Sequence, residues 1–339
     1  MASSFSKFFL DKINKISAKF IPNITTSLIE PSPTIIPPEL NLFTPATADE
    51  ITHAISKSSD ASCSLDPIPT KLLKSCLPVL IMPITNIVNL SLSEGVFPDS
   101  YKNAIVKPLY KKHSLPHEDL SSYRPISNLN FISKIIERII HTRLSNHLKT
   151  FPSLSPFQSA YRPFHSTETA LLRIQNDLLL AMDNRKVSAL ILLDLSSAFD
   201  TIDHHILLSR LSSYFGISGL ALKLLTSYLQ NRTQTVCIDS QFSPPSLLST
   251  GIPQGSVLGP LLFSLYTTPL SHVLQNSGTF FHFYADDTQL YISFSPALSH
   301  APLSLLSSTL DLVHTWFTNN RLCLNPSKTE YIMIDSPYQ

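Results

Sequence analysis

Apolar positions recur along this chain with two different periods. Between residues 45 and 92 the spacing is helical: Ala48, Ile51, Ala54 and Ile55 mark one helix, and a second pattern runs from about Ile68 to Leu92. Residues 104–110, AIVKPLY, predict a strand. SSYRPIS (121–127) predicts another extended piece, because Pro125 drives Arg124 out of the helical region. Over 133–149, Ile135, Ile136, Ile139, Ile140, Leu144 and Leu148 share one helical face. A further helix starts at Ser166 or Thr167, either of which is a capping residue, with Leu171, Ile174, Leu178 and Met182 on its buried side. VSALILLD (187–194) is an unbroken apolar run up to Asp194, the pattern of a strand covered on both faces. A helix follows across roughly 203–214. FFHFYADDTQLYISF (280–294) predicts two strands with an acidic pair at their junction. A helical pattern then runs from about Leu303 to Phe317, with Leu306, Leu310 and Val313 on the same side, before an extended YIMI (331–334). No internal repeat is visible. Helices and antiparallel strands in this order predict an α+β fold.

Residues 1–44 read as a weakly structured lead-in, with PSPTIIPPEL (31–40) as a proline-rich linker. The first twenty residues interleave lysines with apolar positions and lack the apolar core and small-residue cleavage site of a signal peptide. Residues 75–92 carry no charge, but Pro78, Pro83, Asn86 and Asn89 interrupt them. A buried helical segment is the better reading, since a membrane span needs about 20 strongly apolar residues.

With 339 residues and 43% hydrophobic content the chain has enough apolar surface for one large domain or two smaller ones. Its net charge of +1 hides an asymmetry: residues 101–173 hold 11 basic against 4 acidic side chains, and residues 174–339 hold 7 against 11. A basic block followed by an acidic one suits a polyanion-binding surface beside a cluster of carboxylates, though a solvated basic face fits the charge equally well. Cys63, Cys76, Cys237 and Cys323 form no CxxC pair and have no histidine at zinc-finger spacing. That spacing argues against structural zinc and a disulfide framework, and a reduced intracellular setting fits.

Candidate chemistry gathers at three places. Asp286 and Asp287 sit at the hairpin tip, where aspartate is ordinary turn chemistry; strongly apolar strands on both sides, however, would fix the pair on a sheet surface. Asp194 ends the buried strand, where it could simply cap the next helix, but small residues follow it, and the amides of 195–198 would face whatever binds beside it. If these carboxylates meet, their mutual repulsion calls for a cation, and hard oxygen ligands select Mg²⁺. GIPQGSVLGP (251–260) concentrates three of the seven glycines, Gly251, Gly255 and Gly259, where backbone must approach something closely or turn sharply.

In their order and content these segments resemble a known family. LDLSSAFD, GIPQGSVLGPLLF and FYADDTQLY are similar to the three core polymerase motifs of reverse transcriptases of non-long-terminal-repeat (LINE-type) retrotransposons. SSYRPISNLNFISKIIERII and SPFQSAYRPFHSTETAL resemble the two upstream finger motifs, and LCLNPSKTEYIMI the motif after the acidic hairpin. The resemblance covers about residues 90–339, and SLDPIPTKLL (64–73) is similar to the segment preceding the polymerase in vertebrate elements of this type.

The resemblance implies roles. Asp194 and Asp286 would ligate two Mg²⁺ ions, with Mn²⁺ as a substitute and Asp287 in support. Phe199 would exclude a ribose 2′-hydroxyl, Gln254 and Gly255 would border the incoming nucleotide, and Arg124 with Lys111 or Lys112 would grip its triphosphate. Arg162 would contact the template, and Lys328 would protonate the pyrophosphate. The implied activity is RNA-directed DNA synthesis from deoxynucleoside triphosphates on an RNA template and a DNA primer, inside the cell, in nucleus or cytoplasm, without a membrane. The implied fold is a right-hand palm and fingers with an antiparallel palm sheet backed by helices. Its expected layout is a lead-in over 1–44, a helical extension over 45–89, fingers over about 90–186 and a palm over about 187–339, with no room for a thumb. Two other readings compete: a retroelement remnant that binds RNA without polymerising, and a two-metal nuclease, against which the ordered finger motifs argue.

Overall fold

The computed structural model describes residues 1–20 and 36–335. In chain order its first elements are α1 (Ala2–Ser17), α2 (Ala48–Ser56), α3 (Thr70–Ser75), α4 (Leu77–Glu94), β1 (Asn103–Tyr110), β2 (Tyr123–Leu129), α5 (Phe131–Leu148), α6 (Thr167–Asp183) and β3 (Val187–Leu193). Then come α7 (His204–Ser213), α8 (Gly219–Leu229), β4 (Arg232–Ile238), β5 (Gln241–Phe242), β6 (Ser246–Leu248), α9 (Gly259–Gln275), β7 (Phe280–Tyr284), β8 (Asp287–Phe294), α10 (His300–Asn319) and β9 (Glu330–Ile334). This mixture of helices and sheet divides into two units, residues 1–15, 36–153 and 202–262 in the first and 16–20, 154–201 and 263–335 in the second.

The first unit is built on a sheet of order β2-β1-β4-β5, with β6 also paired to β4. β1 runs antiparallel to β2, from Ala104↔Leu129 to Tyr110↔Tyr123, and parallel to β4. Phe5 and Phe9 of α1 pack on Val106 and Val236 of this sheet. The expected weakly structured lead-in is therefore helical over Ala2–Ser17, because Phe5 and Phe9, four apart, lie on one helical face and have a sheet to cover. Of the proline-rich linker, residues 31–35 lie outside the described residues.

The pattern between Ile68 and Leu92 resolves into two helices, α3 and α4. α4 is long and apolar enough to cross a membrane by length and composition. It buries one stripe, Ile84, Thr85, Val88, Ser91 and Leu92, while Val79 and Met82 are exposed. The expectation of a buried helix thus holds for one face only. α5 begins where the Asn130 side chain accepts the amides of Ile132 and Ser133, a cap that stops the β2 strand from running on.

The second unit is a fully antiparallel sheet of order β7-β8-β3-β9. β3 is covered along almost its whole length, and its Leu190 packs with Ile174 of α6 and Tyr291 of β8. The Tyr291 hydroxyl donates to Asp177 of α6 at 2.5 Å, tying helix to sheet. α6 is capped by Ser166 as expected, but Leu171 is exposed; the buried positions are Ala170, Ile174 and Ala181.

Neither unit is a continuous stretch of chain. Residues 202–262 fall in the first unit because β4 pairs with β1, and residues 154–186 fall in the second because α6 packs on β3. The helical stretch over 45–89 lies in the first unit.

Candidate active site

In the second unit, the β3–β8 ladder ends at Leu193↔Thr288, and the β7–β8 hairpin closes at Tyr284↔Asp287. One step beyond Leu193 is Asp194 and one step before Thr288 is Asp287, so the register carries these two acids to the same end of neighbouring strands. Asp286 lies in the two-residue turn, behind Ala285, whose φ of 57° is left-handed. The three carboxylates feel one another. Partial burial raises the Asp287 carboxyl above the usual carboxylate range, and the charges of Asp286 and Asp194 push the same way, against the pull of Lys328.

Lys328 answers part of that charge. Its Nζ stands 3.2 Å from both Oδ1 and Oδ2 of Asp194, and Asn325 Nδ2 donates to Oδ2 at 3.0 Å. The backbone does the same: Asn325 N donates to Asp194 O at 2.9 Å, and Ser196 N donates to Cys323 O at 2.8 Å. The Ser196 amide, expected to face a ligand, is therefore spent on the chain segment that brings Lys328 in. Phe199, five residues past Asp194, stacks on Phe263 with ring centroids 4.8 Å apart.

The donor set suits a hard divalent cation in kind, being three oxygen donors whose repulsion needs neutralising. Among the described residues no three acidic, histidine or cysteine groups stand in geometry that would ligate one ion, and at Asp194 an ammonium holds both oxygens. The side chains would have to reorient, and Lys328 shift, for metal to be shared between them.

Sequence reasoning singled out only Arg162 from the second finger motif, yet the structure makes Gln158 the residue at the acidic turn. Its Oε1 accepts from Ala285 N at 3.1 Å and its Nε2 donates to Ala285 O at 3.3 Å. Arg162 Nη1 donates to the carbonyls of Ser155 and Gln158, both at 3.1 Å, which accounts for that guanidinium locally. Behind the turn His282 is buried, with Nε2 2.9 Å from Ser159 Oγ. Burial pushes its imidazole down to about 4, and the positive charge of Arg173 adds to the effect.

The remaining predicted residues lie in the first unit. Arg124 is exposed on β2, and Lys111 Nζ donates to Ser121 O at 2.6 Å just beyond the end of β1. The Gln254 carbonyl accepts from Ser127 N at 2.8 Å, which docks the glycine-rich loop on β2. Gly255 has φ 119°, and a Cβ there would lie 2.6 Å from Ser127 O, so glycine is required by both angle and space. The loop is also held from α5. Glu137, fully buried, accepts from Val257 N at 2.7 Å, from Leu258 N at 3.1 Å and from Tyr228 Oη at 3.3 Å. Burial raises the Glu137 carboxyl, while the charge of Arg232 and the two amides oppose the rise. Arg232, itself buried, lies 4.5 Å over the Tyr228 ring and has no hydrogen-bond partner on its guanidinium among the described residues. Neither Glu137 nor Arg232 stood out in the sequence, because each reads as an ordinary surface charge beside apolar neighbours.

Comparison with known proteins gives these residues a context. The family model described as reverse transcriptase (RNA-dependent DNA polymerase) matches residues 110–338. A probable RNA-directed DNA polymerase from transposon BS of Drosophila melanogaster is 32% identical over 84% of this chain, and the RNA-directed DNA polymerase from mobile element jockey of the same fly is 33% identical over 71%. A Xenopus laevis transposon TX1 protein is 27% identical over 69% of the chain. The chain spans 32% of the length of the first relative, 26% of the second and 18% of the third.

Proposed function

Since the chain belongs to the reverse transcriptase family, with relatives among non-long-terminal-repeat retrotransposon polymerases, we propose that it is an RNA-directed DNA polymerase that extends a DNA primer on an RNA template. The observation that carries this reading is the convergence of Asp194, Asp286 and Asp287 at one end of an antiparallel sheet, sensed as mutual repulsion at Asp287.

On this reading the antiparallel sheet is the palm and the β1–β2 unit belongs to the fingers. Reverse transcriptases use divalent metals; two Mg²⁺ ions, or Mn²⁺ in their place, held by Asp194 and Asp286 with Asp287 in support, would activate the primer hydroxyl and stabilise the leaving pyrophosphate. The protein groups do the rest. Arg124 and Lys111 hold the triphosphate, a guanidinium being suited to paired phosphate contacts. Gln254 and Gly255 present a rigid loop edge to the nucleotide, fixed by Ser127 and Glu137. Phe199, its ring braced on Phe263, blocks a ribose 2′-hydroxyl. Lys328 Nζ, already at the Asp194 carboxylate, hands a proton to the pyrophosphate oxygen. Arg162 supports the template side by stiffening the loop that carries it. The basic stretch 101–173 holds template phosphates in a salt-sensitive way. The setting is intracellular, in nucleus or cytoplasm.

Primer extension by the full chain on an RNA template tests the reading. Deoxynucleotides should be incorporated in a template-directed manner, and salt-sensitive RNA binding without any incorporation would replace the polymerase with an RNA-binding protein.

A further inference from the structure

The acidic turn is held from outside its own hairpin as well as by it. Ala285 carries a Cβ yet has φ 57°, the positive angle that a two-residue hairpin turn calls for and that strains a side-chain-bearing residue. β7 is an edge strand of its sheet, so nothing in the four-stranded ladder supports the turn from that side. The support comes from residues 157–159. Phe283 N donates to Phe157 O at 2.8 Å and Ser159 N donates to Phe283 O at 3.0 Å, a parallel bridge that lays this segment along the free edge of β7. The bridge is braced by Phe157 against Phe281, rings 4.6 Å apart, and by Arg162 on the Gln158 carbonyl.

From that splint a buried side chain reaches the turn. Gln158, 6% exposed, grips Ala285 by both its backbone groups, accepting its N–H and donating to its carbonyl. The same Oε1 also accepts Ala160 N at 2.9 Å, which fixes the amide's own orientation. A primary amide is the side chain that pairs with both a peptide N–H and its C=O; a carboxylate lacks the donor and a hydrocarbon lacks both. Asp286 and Asp287 follow Ala285 directly, so the dihedral angles at 285 aim the two carboxylates.

We propose that Gln158 is a positioning residue for the polymerase centre: it locks Ala285 in its left-handed conformation and thereby sets the direction of Asp286 and Asp287. Its catalytic consequence rests on the polymerase reading above, whereas the lock itself does not. Gln158→Ala releases the turn. Gln158→Glu keeps an acceptor for the two amides but replaces the amide donor with a buried carboxyl beside the acidic pair. Ala285→Gly, which adopts a positive φ without strain, removes the need for the lock.

The test uses the full chain in two measurements. In primer extension, Gln158→Ala should lower kcat by about tenfold or more while KM for deoxynucleotide stays within about threefold, since misaimed groups cost turnover rather than binding. Gln158→Glu should also fall below wild type, because it puts a buried carboxyl next to the acidic pair. Adding Ala285→Gly to Gln158→Ala should recover about threefold or more of the lost kcat, a rescue that a general packing defect would not give. Amide hydrogen exchange at residues 284–287 should quicken about tenfold in Gln158→Ala. Unchanged turnover in Gln158→Ala, absence of rescue, or unchanged protection at Ala285 would each overturn the proposal. If wild type itself does not extend a primer, the polymerase reading falls, and the exchange measurement still decides whether Gln158 locks the turn.

Discussion

Lys328 reaches both carboxylate oxygens of Asp194, at 3.2 Å each, across a chain separation of 134 residues. The pairing is not a chance surface contact, because Asn325 anchors the same aspartate by side chain and backbone together. It brings a proton-bearing group to the carboxylate end of the sheet. Removing it as Lys328→Ala should lower kcat by about 10²-fold with little change in nucleotide KM, the size expected for loss of a positioned general acid. Single-turnover incorporation measured under saturating nucleotide checks it, and an unchanged rate would leave the lysine as a mere counter-charge.

On the proposed polymerase reading, sugar selection depends on Phe199 and the ring it stacks on. Phe199 is held by its stack on Phe263, so its edge is fixed relative to the Asp194 strand end. Phe199→Val should admit ribonucleotides, lowering the ratio of deoxy- to ribonucleotide incorporation by about 10–100-fold, the range that a hydrophobic contact contributes to discrimination. Competition between matched dNTP and rNTP on one template reads this ratio directly.

The loop of Gln254 and Gly255 hangs on a buried carboxyl group. Glu137→Ala would orphan the Val257 and Leu258 amides and the Tyr228 hydroxyl, and leave the Arg232 charge without the carboxylate whose field it feels. Breaking a buried polar network of this kind costs about 3–5 kcal/mol. Denaturant unfolding should show that loss for Glu137→Ala and a smaller one for Glu137→Gln, which keeps an acceptor.

How much of this was legible beforehand depends on range. The strand ending in Asp194 and the acidic hairpin showed in the sequence because their apolar runs are local, whereas the β3–β8 register that sets them side by side joins segments about a hundred residues apart. α1 did not, since its phenylalanines only become a face once the β1–β4 sheet exists to receive them. β4 was equally hidden: its partner β1 lies more than a hundred residues earlier, and no local pattern announces a parallel pairing. At the site, the three aspartates stood out as chemistry. Gln158 and Glu137 did not, because a neutral amide and a helical glutamate acquire their meaning only from the distant backbone groups they hold.

His282 gives the fold a pH dependence with a definite sign. The folded state holds its imidazole at about 4, below the ordinary 6.5, so between those values the unfolded chain binds a proton that the folded chain refuses. Its contribution to stability is thus complete above pH 6.5 and is lost as pH falls toward 4, by up to about 3 kcal/mol. Unfolding midpoints of wild type and His282→Gln should diverge above pH 6.5 from their difference at pH 4; a constant difference across the window would contradict the buried neutral imidazole.

The meeting of Asp194 with the acidic turn is the claim on which the rest stands, and primer extension on an RNA template with wild type, Asp194→Asn and Asp286→Ala tests it most directly. Wild type should incorporate deoxynucleotides in the presence of Mg²⁺, and either substitution should reduce incorporation by about 10³-fold or more while RNA binding persists. Equal incorporation by all three proteins would contradict the account.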